Sequence, residues 1–334
     1  MYELLGISLG LAALLTVNAA ASLAGAGLWR LMKSPLQRCS ARTRAEFLFA
    51  FRVAPFLLST IFVAGFLVPA YLLHEPYATK EVVSGKLATL ALISAIGVLL
   101  AVSRDVRSWL ATHRLLKAWL NAADAITLAG VSIPTFKLTH EFPVLAVVGT
   151  FRPRLFVAEQ VLTTLTPDEL HSVIAHEAGH LSARDNLKRS LLRACGDALL
   201  MIPCGRSIDR AWADTSESAA DEYAAQTSSA AAVNLAAALV KVARMVPKGS
   251  RAAVPVAAFL VGNEEDRGIK ARVRRLLDLA SNQETCGRTF LRYRLSFPLF
   301  LLAMPTAVVV VHHTNSEVLA SLHLLIEHTV HLLS

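Results

Sequence analysis

The sequence predicts a mainly α membrane protein: four transmembrane helices carrying a cytoplasmic α+β domain with a small antiparallel sheet. Three observations lead there. The 334 residues are 54% hydrophobic and only 17% charged, and the mean hydropathy is +0.49, a balance foreign to an ordinary soluble chain. Four apolar stretches approach the roughly 20 residues that an α-helix needs to cross a hydrocarbon core. Between the third and the fourth runs a long segment with its own helix caps, strand patterns and turns.

The spans fall at about residues 4–31, 56–73, 87–102 and 295–311. The first resembles a secretory signal at its "NAAASLAGAG" end, but Glu3 precedes it and no basic residue does, so it reads as an uncleaved span. The loop after it carries Lys33, Arg38, Arg42, Arg44 and Arg52, whereas the loop after the second balances Lys80 and Lys86 against Glu75 and Glu81. Basic residues collect in cytoplasmic loops, so the first loop is assigned to the cytoplasm. Arg104 and Arg107 after the third span, and Arg288, Arg292 and Arg294 before the fourth, place both ends of the long middle segment on the same side. The expected division is therefore three spans with a basic loop in residues 1–103, a cytoplasmic domain in 104–290, a fourth span in 291–312 and an extracytoplasmic tail in 313–334. Both termini lie outside. Topology accounts for much of the formal net charge of +8, so no direct nucleic-acid partner is expected.

Within the middle segment, "VLAVVG" and "RLFVA" flank the turn-like "TFRP" and read as an antiparallel pair. An open edge there can accept an extended peptide as an added strand; a covered edge makes it an ordinary hairpin. Next comes "TPDEL", with Thr166 as N-cap, Pro167 at the first helical position and Glu169 completing a capping box. The helix that starts there contains "HEAGH". His176 and His180 stand at i and i+4, adjacent on one side, a spacing that binds one Zn²⁺, and Glu177 beside the first can take a proton from water at the metal. Such a pattern also recurs by chance, so a third ligand is needed. "ESAAD" supplies one: Glu217 and Asp221 share a helical face, so one carboxylate can bind metal while the other orients a ligand imidazole.

HExxH followed by ExxxD, set in a cytoplasmic loop between spans, resembles the gluzincin-type membrane metallopeptidases. Within them, "GTFRPRLFVAEQVLTTLTPDELHSVIAHEAGHLSARDNL" is similar to the BlaR/MecR class, receptor peptidases that relay a surface signal to a repressor. The resemblance implies that His176, His180 and Glu217 bind Zn²⁺, that Glu177 is the general base, and that Asp221 supports a ligand histidine. Asp185, in "HLSARD", is a weaker candidate for the same supporting role, beside the reading of a plain surface aspartate. The resemblance also implies a bacterial-type inner membrane, a winged-helix repressor as protein substrate, and signal transduction as the role. Receptors of that class carry a penicillin-binding sensor after the last span, where this chain has residues 313–334, so a separate sensor protein is the expected partner. A membrane quality-control protease of the HtpX type shares both motifs, and a non-proteolytic scaffold is the reading from another class; an intact Glu177 speaks against the latter.

The remaining features have bland explanations. Cys39, Cys195, Cys204 and Cys286 lack metal or disulfide spacing and read as reduced thiols. "LLRACGDALLMIPCG" holds Arg193 and Asp197, costly at the bilayer centre, and is read as a core or membrane-surface helix. "DRGIKARVRRLLDLA" is a basic amphipathic helix expected to meet anionic headgroups or water. In the tail, His323, Glu327 and His331 form a stripe at i, i+4 and i+8, read as the polar face of an interfacial helix or as a small sensor of pH or metal.

Overall fold

The computed structural model describes residues 2–75, 83–197, 205–246 and 266–281, together with positions 321, 324 and 328. Its N-terminal third is three long helical rods. α1 spans Tyr2–Leu36; α2, Ala41–Phe62, runs through a π-helical segment, Val63–Leu67, into α3, Val68–His74; and α4 spans Gly85–Ala122. Ser40 and Ser84 cap α2 and α4 by accepting from the N–H groups of Thr43 and Leu87. All three rods are long and apolar enough to cross a membrane, and they coincide with the first three expected spans. They pack on one another around Leu5, Leu9, Ala12, Ala70, Tyr71 and Leu87, while Leu23, Leu31, Leu92 and Leu99 are exposed. An apolar outer surface of this kind is what lipid tails cover. The fourth expected span and the histidine stripe of the tail lie outside the described residues.

α4 continues well beyond its apolar part. At 1.5 Å per residue its 38 residues reach about 57 Å, nearly twice the ~30 Å of a hydrocarbon core. The helix therefore carries on unbroken from the span into the domain, through Trp119, which packs at a ring centroid distance of 5.2 Å on Phe156 of the sheet. α2 behaves alike at its other end. Ala45, Leu48, Phe49 and Val53 are buried against Leu192, Cys195, Ile208 and Trp212 of the domain.

The domain opens with a four-stranded sheet, β1 (Ala123–Ile126), β2 (Thr135–Leu138), β3 (Leu145–Val148) and β4 (Arg154–Ala158), in the order β1-β2-β4-β3. β3 and β4 form the expected antiparallel pair, but β2 and β4 are parallel, so the sheet is mixed where an antiparallel one was expected. The chain leaves β2, passes beyond the place β4 will take, lays β3 at the far edge and returns through a tight turn. Gly149 makes that turn at φ +108, where a Cβ would come within 2.7 Å of the Arg152 carbonyl oxygen.

Helices cover the sheet: α5 (Glu159–Thr164), α6 (Pro167–Ala183), α7 (Asp185–Asp197), α8 (Gly205–Ala225), α9 (Ala231–Met245) and α10 (Asp266–Ser281). The core lies between the sheet and α6 and α9, with Phe156, Val157, Val161, Val173, Leu235 and Leu239 all buried. Residues 191–197 of the "LLRACGDALLMIPCG" stretch belong to α7, where Leu192 and Cys195 pack on α2; residues 198–204 lie outside the described residues. Lys188 pairs with Glu46 at 2.5 Å and Arg52 with Asp209 at 2.9 Å. The Glu222 carboxylate accepts from the Ala41 N–H at 3.1 Å. Three polar links thus tie α2 to the two helices that flank the site.

Candidate metal centre

The site is built on α6, and the capping box that predicts its start is formed. Thr166 accepts from the Glu169 N–H at 3.3 Å, and the Glu169 carboxylate accepts from the Thr166 N–H at 2.8 Å. Lys241 of α9 also donates to Glu169, at 2.8 Å. Burial pushes the Glu169 carboxyl up, but these donors outweigh it and hold it below its ordinary value. A helix fixed so firmly at its start presents His176 and His180 one turn apart toward α8.

Glycine sets how near α8 comes. A Cβ on Gly179 would lie 3.1 Å from Ala220 Cα and 3.2 Å from Tyr223 Cβ, so the fourth position within "HEAGH" is where the two helices come closest. That approach carries Glu217 to the histidines. Its Oε2 is 3.6 Å from His176 Nε2 and its Oε1 is 3.5 Å from His180 Nε2. The three donor atoms lie within 4.8 Å of one another, compatible with coordination of one metal ion.

Both imidazoles are held from behind. His176, fully buried, has Nδ1 3.0 Å from Asp221 Oδ1. His180 has Nδ1 2.7 Å from Asp185 Oδ2. Asp185 reaches back because the residue before it, Arg184, ends α6 in the left-handed conformation at φ 55 and ψ 39, which turns the chain sharply into α7. A carboxylate on Nδ1 fixes both ring orientation and tautomer, leaving Nε2 for a metal. Two imidazoles and one carboxylate are a donor set compatible with a metal such as zinc. Glu177 stands apart from the ligand cluster. Its Oε2 accepts from the Val147 N–H of β3 at 3.2 Å.

Arginines complete the charge balance, and sequence reasoning missed them. Arg272 of α10 donates from Nε and Nη2 to the two oxygens of Asp221, at 2.9 and 2.8 Å, and its Nη1 is 3.2 Å from Glu217 Oε2. Its Nη2 is also 3.1 Å from His176 Nε2 and 3.3 Å from Nδ1; near-equal distances place it against the imidazole rather than on one lone pair. Arg275 adds a contact to Asp221 at 2.6 Å and another to Ser218. The basic helix expected to face headgroups or water therefore turns two of its arginines inward, because Asp221, with no exposed surface, must be neutralised from somewhere. A signal was there: Arg272 lies on the apolar stripe of Ile269, Val273 and Leu276, where a charge needs a partner.

From α7, Arg189 Nη2 approaches Glu217 Oε1 at 3.3 Å. Burial pushes Glu217 and Asp221 up, but the cations around them hold both carboxyls well below the usual range. For His180, burial pushes down, and Glu217 with Asp185 overcomes it, raising the imidazole to about 10.

A cleft of about 1020 Å³ opens over the site, lined by Val147, Gly149 and Phe151 on the sheet side and by Arg189, Trp212 and Asp214 on the helix side. The β3 edge faces it without being bare. Asn186 Nδ2 donates to the carbonyls of Val147 and Gly149 at 3.1 and 3.3 Å.

A comparison with curated proteins finds no match. The sheet edge, α6 and α8 are found in residues 146–244, the segment that matches the model of peptidase family M48; α10, with Arg272 and Arg275, lies beyond it. This chain thus joins apolar helices of membrane-spanning length to a segment of metallopeptidase type.

Proposed function

We propose that the protein is an integral-membrane zinc endopeptidase with a cytoplasmic catalytic domain, cleaving a cytoplasmic regulator such as a winged-helix repressor in response to a signal received by a separate partner. One observation carries the enzymatic part: His176, His180 and Glu217 converge with both histidines braced, while Glu177 waits beside an edge strand. His176, His180 and Glu217 are the assigned ligands, Glu177 the general base, and Asp221 and Asp185 the carboxylates that orient His176 and His180. When bound, zinc supplies Lewis acidity, acidifying water and polarising a peptide carbonyl.

The chain's own residues do the rest. Glu177 takes a proton from the attacking water and returns it to the departing amine. The N–H of Val147 holds the Glu177 carboxylate in place until substrate arrives. The outer edge of β3 aligns an extended peptide, which must displace the Asn186 amide to reach the Val147 and Gly149 carbonyls. The basic first loop supports the cytoplasmic assignment, and the resemblance to the BlaR/MecR class supports the regulatory one.

The test compares new protein N-termini in cells making the chain or its Glu177→Gln variant at matched levels. A few Glu177-dependent cuts in cytoplasmic proteins are expected, and they name the substrate. Many cuts across membrane proteins would replace the regulatory role with quality control of the HtpX type, and identical N-termini from the two samples under signalling conditions would leave a scaffold.

A further inference from the structure

Among the described residues two guanidiniums touch Glu217, and they differ in how far they are committed elsewhere. Arg272 is buried, with donors committed to Asp221, Glu217 and His176. Among the described residues the Arg189 guanidinium meets Glu217 Oε1 alone, keeps 27% of its side-chain surface exposed and lines the cleft. Its position is stiffly set. α7 begins at Asp185, bonded to His180, and the neighbouring Lys188 is paired with Glu46 of α2. Arg189 thus sits one helical turn from a residue tied to the ligand cluster. Glu177 is held on the β3 side by the Val147 N–H, and Arg189 reaches Glu217 from α7; both line the same cleft.

We propose that Arg189 is a catalytic residue that binds the carbonyl oxygen of the scissile peptide as that oxygen gains negative charge. This rests on the endopeptidase reading. A carbonyl undergoing attack must lie against the ligand cluster, and a donor already resting on Glu217 Oε1 meets its oxygen without moving α7. Water oxygen bonds to the carbonyl carbon while its proton passes to Glu177, and the carbonyl π pair moves onto oxygen, where the Arg189 N–H groups meet it. Collapse restores the carbonyl and breaks the C–N bond; Glu177 delivers the proton to the amine. Arg189 stays protonated throughout. A preorganised donor contributes most where charge develops, not where substrate first binds.

The experiment uses the full-length, zinc-loaded chain in detergent and its Arg189→Met and Arg189→Lys variants. The probes are two inhibitors: a phosphoramidate peptide, whose tetrahedral anionic oxygens imitate the charged state, and a mercapto-peptide, which lacks them. Expected for Arg189→Met are a loss of roughly 10²–10³-fold in affinity for the phosphoramidate, and in kcat on casein with KM little changed. Affinity for the mercapto-peptide and for zinc stays at the wild-type value, and Arg189→Lys recovers part of the loss. Equal weakening of both inhibitors, or a parallel loss of zinc affinity, would overturn the proposal by showing that Arg189 merely holds Glu217. Unchanged phosphoramidate affinity would overturn it outright. Failure of the wild-type chain to bind zinc or either inhibitor would remove the endopeptidase reading itself, and the proposal with it.

Discussion

Replacing Arg272 with methionine removes a dense set of charge-assisted bonds while keeping an unbranched apolar stem. Three are lost: the paired donations to Asp221 at 2.9 and 2.8 Å and the contact with Glu217 at 3.2 Å. At about 1.5–3 kcal/mol for a hydrogen bond to a charged group, three would sum to about 4.5–9 kcal/mol. Arg275 and His176 remain on Asp221, so the carboxylate is not orphaned. The expected cost is thus nearer the about 3–5 kcal/mol seen when one partner of a buried pair is deleted. For a domain of this size that lowers the melting midpoint by roughly 6–20 °C, read by tryptophan fluorescence in detergent with zinc absent. Asp221→Asn should cost a comparable amount, and the double variant much less than the sum, because the two residues share their bonds. An Arg272→Met midpoint within about 2 °C of wild type would refute the reasoning, since α10 would then not be held through Asp221.

Three further outcomes follow from the same contacts. Asp185→Asn keeps the size of the brace on His180 but loses its charge, and zinc affinity, measured by competition with a chelator, should fall about 10–100-fold. Gly179→Ala presses a methyl on Ala220 and Tyr223, forcing α8 outward; destabilisation of about 1–3 kcal/mol should come with weaker zinc binding, while Ala178→Gly, at the neighbouring position, leaves zinc binding intact. Glu169→Gln tests the capping box. Because the Glu169 carboxyl is held below its ordinary value, its stabilisation is fully present above the unfolded carboxyl pKa, about 4.3, and is lost as pH falls through the lower folded value. The variant should be about 1–2 kcal/mol less stable at pH 7, and the gap should close near pH 3; a gap constant with pH would refute the assignment.

The histidines, Glu177, Glu217 and Asp221 were legible because each pair lies on one helix, where spacing alone dictates the face. Asp185 was only half legible. Its contact with His180 depends on a left-handed Arg184, and an arginine does not announce that conformation as a glycine would. Arg189, Arg272 and Arg275 were invisible as partners because their contacts are made between helices, and local pattern cannot tell which way a helix docks. The sheet shows the same limit: the β3–β4 hairpin is a local feature, whereas β1 and β2 have four residues each and pair on terms set by distant chain. The first three spans were read from length and hydropathy, but the extensions of α4 and α2 into the domain were not, because packing of Trp119 on Phe156, or of α2 on Trp212, leaves only a mixed pattern in the sequence.

The order in which the chain is made gives the docking of α10 a consequence in time. Glu217 and Asp221 leave the ribosome well before Arg272, and in the interval the braced carboxylates lack their strongest counter-ions. The ligand cluster reaches electrostatic balance only when residues 266–281 fold onto α8. The histidines of such a site are synthesised early, but part of the charge that sets them in place arrives later, with α10, the last helix among the described residues.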